Sequence, residues 1–137
     1  LSTFLRYKTP ASLFIFDLDK FKSINDTYGH QTGDRVLVTV SKTIQNRLRG
    51  SDRLFRYGGE EFAVLLVQTG QDDAFKLAEE LRTLVEKQEY NIDRAVTISG
   101  GVSEVREADS VNSWIERCDM ALYEAKSGGR NKVIMRT

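Results

Sequence analysis

Two kinds of hydrophobic spacing alternate along the chain. Ser12-Leu13-Phe14-Ile15-Phe16 is a β-branched and aromatic run after a proline, which predicts a buried strand carrying Asp17 and Asp19 at its end. A loop rich in Asn, Asp, Gly and His follows, and then Val36 or Leu37, Val40, Ile44 and Leu48 recur at helical spacing until Gly50. Leu54-Phe55-Arg56-Tyr57 and Phe62 to Val67 flank Gly58-Gly59, a dipeptide that tolerates the positive φ angles of a tight antiparallel hairpin. Asp72 is placed to cap a helix whose Phe75, Ala78, Leu81 and Val85 share one face. Ala95 to Ser99 reads as another strand. Ser110 precedes a final helix with Trp114, Ile115, Cys118, Leu122 and Ala125 facing inward, closed by Gly128-Gly129 before a last strand, Lys132 to Met135.

The order strand, helix, hairpin, helix, strand, helix, strand predicts an α+β fold: a mainly antiparallel central sheet with flanking helices, of the ferredoxin-like or polymerase-palm kind. The helices are expected on one face, with the other open for ligand. A length of 137 residues with 40% hydrophobic content and one proline suits one compact domain.

Charge changes the picture by exclusion. Twenty basic residues balance twenty acidic ones, so duplex nucleic acid is not an expected partner, and any phosphate binding must be local. Cys118 is the only cysteine, which rules out a disulfide framework within the chain and fits a reducing cytoplasm. The longest uninterrupted apolar run, Phe62 to Val67, is too short to cross a bilayer, so no direct membrane contact is expected.

The acids carry the candidate chemistry. Asp17 and Asp19 end the first strand, and Glu60 and Glu61 lie in the hairpin. If hairpin and strand are neighbours, two carboxylates about 5 Å apart repel by roughly 3 kcal/mol at an effective dielectric of about 20. A bound cation would remove that cost, and an oxygen-only cluster suits Mg²⁺ or Mn²⁺ rather than zinc. A calcium-binding EF-hand loop starting at Asp17 is excluded: Phe21 and Lys22 stand where a ligand and the turn glycine belong, and Tyr28 where the closing Glu should be.

Arg56-Tyr57-Gly58-Gly59-Glu60-Glu61-Phe62 resembles the signature of the GGDEF family of diguanylate cyclase domains, in its Glu-for-Asp variant. The string arrives with Phe16-Asp17-Leu18-Asp19-Lys20-Phe21-Lys22, Asn25-Asp26-Thr27-Tyr28-Gly29-His30, Gly33-Asp34 and Ala121-Leu122-Tyr123-Glu124-Ala125-Lys126 leading to Gly129-Arg130-Asn131. The resemblance spans nearly the whole chain. It implies an enzyme that condenses two GTP into cyclic di-GMP, releasing two pyrophosphates, by metal-assisted attack of a 3′-hydroxyl on an α-phosphate across a homodimer.

The same resemblance implies roles residue by residue. Asp17, the carbonyl of Leu18 and Glu60 match the metal ligands, two ions bridging phosphate oxygens as in polymerases; Glu60 also matches the group that helps deprotonate the hydroxyl. Asn25 and Asp34 match the guanine readers: a carboxylate accepts from the base's N1 and N2 hydrogens, and an amide meets its edge. On their own they read as a turn residue and a helix cap. Gly-x-x-x-x-Gly-Lys-Ser/Thr is absent, so backbone amides near Phe21 and Lys22, where a helix begins, are expected to cradle phosphate. Lys22, Lys126 and Arg130 match the phosphate contacts. Gly59 keeps side chains away from a nucleotide lying across the hairpin, and Glu61 joins the substrate-binding set. His30 is expected to fix its loop by hydrogen bonds rather than to move protons.

Arg49-Gly50-Ser51-Asp52 is followed after five residues by the Gly58-Gly59 of the signature, the register of the family's inhibitory product site. There Arg49 would fork onto phosphate or guanine and Asp52 would accept from guanine. The family's N-terminal turn motif is missing, leaving a helical remnant around Phe4, so an upstream sensor domain is expected outside this sequence and the domain is expected in the cytoplasm, alone or as the inner part of a membrane-bound sensor. Two rivals stand beside the cyclase: a receptor that binds GTP or cyclic di-GMP without turnover, and a palm enzyme with another product. A receptor would be free to lose Glu60 or Lys126, and neither is lost.

Overall fold

The computed structural model describes residues 9–137; the remnant around Phe4 lies outside them. Strand β1 (Ala11–Leu18) leads into helices α1 (Phe21–Tyr28) and α2 (His30–Arg47). The hairpin is β2 (Arg53–Arg56) and β3 (Glu61–Val67), followed by α3 (Gln71–Lys87), β4 (Ile98–Glu104), α4 (Val111–Ser127) and β5 (Val133–Met135). The strands form one sheet in the order β2-β3-β1-β4-β5, antiparallel except for the β4–β5 pair. The expected α+β architecture is therefore present, with β1 at its centre.

The sheet is covered on both faces, which corrects the expectation of one open face. Strand side chains alternate between faces. Phe14, Phe16 and Leu18 pack with Val36, Val40 and Ile44 of α2 and with Ala78, Leu81 and Val85 of α3. Leu13 and Ile15 point the other way, into a second cluster with Ala63, Trp114, Cys118 and Leu122. The uninterrupted run in β1 already required this, because a strand with both faces apolar needs a cover on each. Only one end of the α4 face, near Asp17, is left for chemistry.

Several boundaries differ from the sequence expectation for local reasons. The Asn-rich stretch after Asp19 is helical, as α1, and α2 begins at His30 rather than near Val36. Strand β4 continues through Gly100 and Gly101, where a strand ending at Ser99 was expected. Those glycines are packing requirements rather than breakers: a Cβ on Gly100 would lie 2.2 Å from the Phe14 ring, and one on Gly101 2.2 Å from the Cys118 carbonyl oxygen. Helix α3 is capped by Gly70, not Asp72, which sits with Asp73 in the first turn, where negative charge favours the helix dipole. Ser110 does cap α4, in a reciprocal capping box with Ser113.

Helix α4 is pinned to the sheet at its start. Arg117 pairs with Asp109 at 2.7 Å and also reaches the Glu104 carbonyl at 2.8 Å. That guanidinium holds the Asp109 carboxyl well below the usual carboxylate range. Cys118 donates to the Leu13 carbonyl at 3.3 Å, and burial pushes its thiol up to about 12. It is a packing residue, as its helical spacing suggested. No described helix is long and apolar enough to cross a membrane.

Candidate active site

The site forms where β1 ends. Asp17 is the register partner of Glu61 on β3 and of Ser99 on β4, so Asp17 and Glu61 share a face, with Cβ atoms about 5 Å apart. From the end of α4, Lys126 brings its ammonium to 2.5 Å from Asp17 Oδ2. The other oxygen, Oδ1, is buried without a hydrogen-bond partner. Burial pushes the Asp17 carboxyl above its ordinary value; Lys126 pulls it back, while the charges of Asp19 and Glu61 add to the rise.

An orphaned carboxylate oxygen beside a second carboxylate is a poor arrangement for an apolar protein interior and a good one for a hard cation. The donor set is oxygen only. Among the described residues no group of three or more His, Cys, Asp or Glu is placed to hold an ion. A metal here would rest on one or two carboxylates and take its remaining ligands from carbonyls, water or phosphate, as Mg²⁺ commonly does.

Glu60 follows a different path from Glu61. Its backbone carbonyl accepts from the Leu18 amide at 3.4 Å, so it flanks the end of β1, and its side chain is half-buried. The hairpin loop is also not the tight positive-φ turn that was expected. Tyr57 N–H donates to the Glu61 carbonyl at 3.1 Å, closing a loop that leaves Gly58 and Gly59 outside the positive-φ region. A Cβ on Gly58 would crowd Glu61 at 3.1 Å, whereas one on Gly59 would meet no protein atom within 4 Å. Nothing within the described fold requires Gly59 for space.

Asn25 and Asp34 are brought close together. Asn25 lies on α1 with its Oδ1 buried and unpartnered, and that oxygen packs so tightly over Gly33 that a Cβ there would lie 1.8 Å away. Asp34, the next residue, is exposed in the second turn of α2 and is not its cap. The Phe21 ring is largely buried and Lys22 is exposed at the start of α1. Helix α1 has no side-chain cap, so its first amides are free to meet a ligand. His30 opens α2, exposed and without a side-chain hydrogen bond among the described residues, so the expected loop-fixing role is not there.

Arg49 and Asp52 are also adjacent, but they engage each other. The Asp52 side chain is fully buried, and its oxygens accept from the Arg49 backbone N–H at 3.0 Å and from its Nη2 at 3.3 Å. Arg49 Nη2 further donates to the Val67 carbonyl and the Thr69 hydroxyl. Arg49 is the exposed member of the pair, and Asp52 is its internal anchor.

Asp19, read from sequence as a companion of Asp17, is structural. Its oxygens accept from Ser99 Oγ at 2.6 Å, Thr97 Oγ1 at 2.8 Å and Asn131 N–H at 2.9 Å. It thereby ties the turn after α4 to the sheet and holds Arg130 in place, while the Arg130 N–H caps the Ala125 carbonyl at 3.0 Å. No site role for Tyr57 or Asp119 was read from the sequence. The Tyr57 hydroxyl donates to Asp119 on α4 at 3.3 Å, linking the hairpin to the helix that carries Lys126.

Comparison with known proteins agrees with this arrangement. The family model described as "Diguanylate cyclase, GGDEF domain" matches residues 1–132. Diguanylate cyclase A of Treponema denticola is 46% identical over 132 residues, covering 93% of this chain and 36% of that protein. Diguanylate cyclase DosC of Escherichia coli is 41% identical over 132 residues, covering 93% and 29%. The chain thus spans about a third of the length of these curated relatives. The GGDEF domain of DgcB from Caulobacter crescentus, solved with c-di-GMP, superposes with a TM-score of 0.93 at 35% identity, covering 98% of this chain and 82% of that one. The active GGEEF domain of a diguanylate cyclase from Vibrio cholerae gives a TM-score of 0.93 at 34% identity, covering 99% and 89%. A match of this extent, on a sheet that brings Asp17, the signature hairpin and Lys126 to one end, makes this chain a member of the diguanylate cyclase GGDEF-domain family.

Proposed function

We propose that this chain is the catalytic domain of a diguanylate cyclase, which joins two GTP molecules into cyclic di-GMP and releases two pyrophosphates. The observation that carries this reading is Asp17: a buried carboxylate with one oxygen unpartnered and the other on Lys126, directly beside Glu61. Asp17, the Leu18 carbonyl and Glu60 would hold two Mg²⁺ or Mn²⁺ ions, which supply charge to neutralise the phosphates and the developing negative charge at the α-phosphate.

The residues' own work is mostly positioning. Asn25 and Asp34 address the guanine: Oδ1 of Asn25 and the Asp34 carboxylate are acceptors, matching the N1 and N2 hydrogens that adenine does not present as a pair. Lys22 and Arg130 take phosphate oxygens with the free amides of Phe21 and Lys22. Lys126 now rests on Asp17, and arrival of cation and phosphate would let it shift to phosphate with little motion, since its side chain is 40% exposed. Glu60 accepts the proton of the attacking 3′-hydroxyl, and the α-phosphorus–oxygen bond to the β-phosphate breaks as the new ester forms. One domain presents one nucleotide, so the two 3′-hydroxyls act across a pair of domains facing each other.

Regulation by product follows the Arg49 pair. A guanine or phosphate at this site would compete for Arg49, which is half-exposed, while Asp52 becomes an acceptor only if Arg49 gives way. The domain would act in the cytoplasm beneath an upstream sensor domain.

Incubating the purified domain at high concentration with GTP and Mg²⁺ and separating the products tests the whole reading. Cyclic di-GMP and pyrophosphate are expected; bound but unconverted GTP would favour the receptor, and a different nucleotide product would favour another palm enzyme. Gly33→Ala is a sharper test of the base contacts. The added methyl displaces Asn25, whose lost hydrogen bond should raise KM for GTP about tenfold with a smaller effect on kcat. An unchanged KM would remove Asn25 from the guanine site.

A further inference from the structure

The turn that carries Arg130 is held in a strained shape. Gly129, Arg130 and Asn131 adopt left-handed backbone in succession, with φ of 112°, 66° and 48°. Non-glycine residues sustain that conformation only where their surroundings enforce it. Part of the enforcement comes from α4 and the sheet. The Arg130 N–H donates to the Ala125 carbonyl at 3.0 Å, and the Asn131 N–H is shared between Asp19 Oδ2 at 2.9 Å and Ser99 Oγ at 3.0 Å.

A further anchor comes from α3, 49 positions away in the chain. Arg82 Nη1 donates to Asn131 Oδ1 at 2.9 Å, and Asn131 Nδ2 donates to Glu86 Oε2 at 2.9 Å. A side-chain amide suits this position, because it offers an acceptor and a donor at once and asparagine tolerates left-handed backbone. Arg82 is itself held by Glu79, which accepts from Nε at 3.0 Å and from Nη2 at 3.2 Å, and by Glu86 at 3.5 Å. Glu79, Arg82 and Glu86 follow one another at helical spacing and so share one stripe of α3. Beside that stripe Ala78, Leu81 and Val85 are fully buried, which seats the helix firmly. The Arg82 side chain is 19% exposed, unlike the solvated Arg47–Glu80 pair earlier on the same helix.

We propose that Arg82, acting through the Asn131 amide, is a positioning residue for Arg130: α3 braces the turn after α4, so that the Arg130 guanidinium stands where the nucleotide's phosphates arrive. The proposal deepens the cyclase reading and rests on it for the identity of the nucleotide. Arg82 itself touches no substrate. On a turn free to relax toward ordinary backbone, Arg130 would spread its charge over more positions, and misplacing a binding group by about 1 Å forfeits much of its effect. Lys126 does not depend on this brace, because it lies within α4 and is paired with Asp17.

Calorimetric titration with Mg²⁺ and a GTP analogue bearing a methylene bridge between its α- and β-phosphates tests the brace without turnover. Arg82→Met should weaken binding about fivefold by misplacing a contact, and Arg130→Ala about tenfold by removing it. The double variant should bind no more than about twofold more weakly than Arg130→Ala, since the brace then has nothing left to position. In turnover assays Arg82→Met should raise KM for GTP about fivefold and leave kcat within about twofold. Asn131→Gly keeps the left-handed backbone and removes only the amide, so it should reproduce these effects and takes the place of Arg82→Met should that protein fail to fold. Wild-type affinity in either folded variant overturns the proposal. So does a loss on Arg82→Met that is equally large with and without Arg130, which is the behaviour of a purely structural residue. The expected coupling in a protein that makes no cyclic di-GMP from GTP would overturn the cyclase reading and keep the brace, whereas a wild type that does not bind the analogue overturns both.

Discussion

Asp17→Asn is expected to lower cyclic di-GMP formation at least about a hundredfold while leaving the fold in place. The wild-type carboxylate is 5% exposed and has a single strong partner, Lys126, whose own side chain is 40% exposed. Losing that pair costs the fold little, of the order of 1 kcal/mol, because the ammonium remains solvated. The amide has the same shape and spares the protein a buried charge whose carboxyl is already pushed above its ordinary value by burial. What it cannot do is offer Oδ1 and Oδ2 as anionic ligands beside Glu61. Initial rates of product formation, a thermal melt and a Mg²⁺ titration of that melt check the three parts. The melting midpoint of the wild type should rise with Mg²⁺ and GTP, and that of the variant should not. Turnover within threefold of wild type would place the metal chemistry elsewhere.

Gly101→Ala should be the most damaging single methyl that can be added to this molecule outside the site. Its Cβ would lie 2.2 Å from the Cys118 carbonyl oxygen, 2.6 Å from the Leu122 nitrogen and 2.7 Å from the Ala121 Cβ. Two of these neighbours are helix backbone and cannot rotate aside, so α4 itself must lift from β4. Overpacking of this kind costs about 3 kcal/mol, which for a domain of this size lowers the melting midpoint by about 10 °C. Turnover measured well below that midpoint should also fall, because α4 carries Lys126 to Asp17 and Asp119 to Tyr57. An unshifted midpoint would show that the approach of α4 to β4 is looser than the structure has it. Gly100 faces the Phe14 ring at 2.2 Å, a neighbour that can tilt, with the Ile15 carbonyl oxygen at 2.9 Å as its one close backbone contact, so the same change there should be milder.

The two glycines illustrate why part of the fold was hidden in the sequence. Read locally, Gly100-Gly101 ends a strand, because glycine packs nothing and is entropically costly in a sheet. In the fold the strand continues, since what glycine makes possible is the close approach of Phe14 on one face and α4 on the other. Gly58-Gly59 misleads in the opposite direction: the pair suggests a tight turn with positive φ, yet neither residue adopts it. Helix α1 was obscured because Ser, Asn, Asp and Thr supply half of its eight residues and a glycine follows it, and only Phe21 and Ile24 are buried from it. The motif residues of the site, by contrast, were legible, since their order and spacing resemble a known family from end to end.

By itself the sequence determined the element types with strong periodicity, the capping of α4 by Ser110, the inward face that buries Cys118, and the family. These follow from short-range physics, the 3.6-residue and two-residue repeats and the residue types at helix ends, which any neighbour along the chain can read. Only the tertiary structure decided that both faces of the sheet are covered, that Asp17 stands opposite Glu61 while Asp19 is spent on Thr97, Ser99 and Asn131, and that Asp52 is closed off by Arg49. Strand register and the side to which a carboxylate points depend on partners 40 to 110 positions away, as with Asp17 and Lys126; a pairing shifted by one residue would exchange the two faces, and no local pattern carries that information.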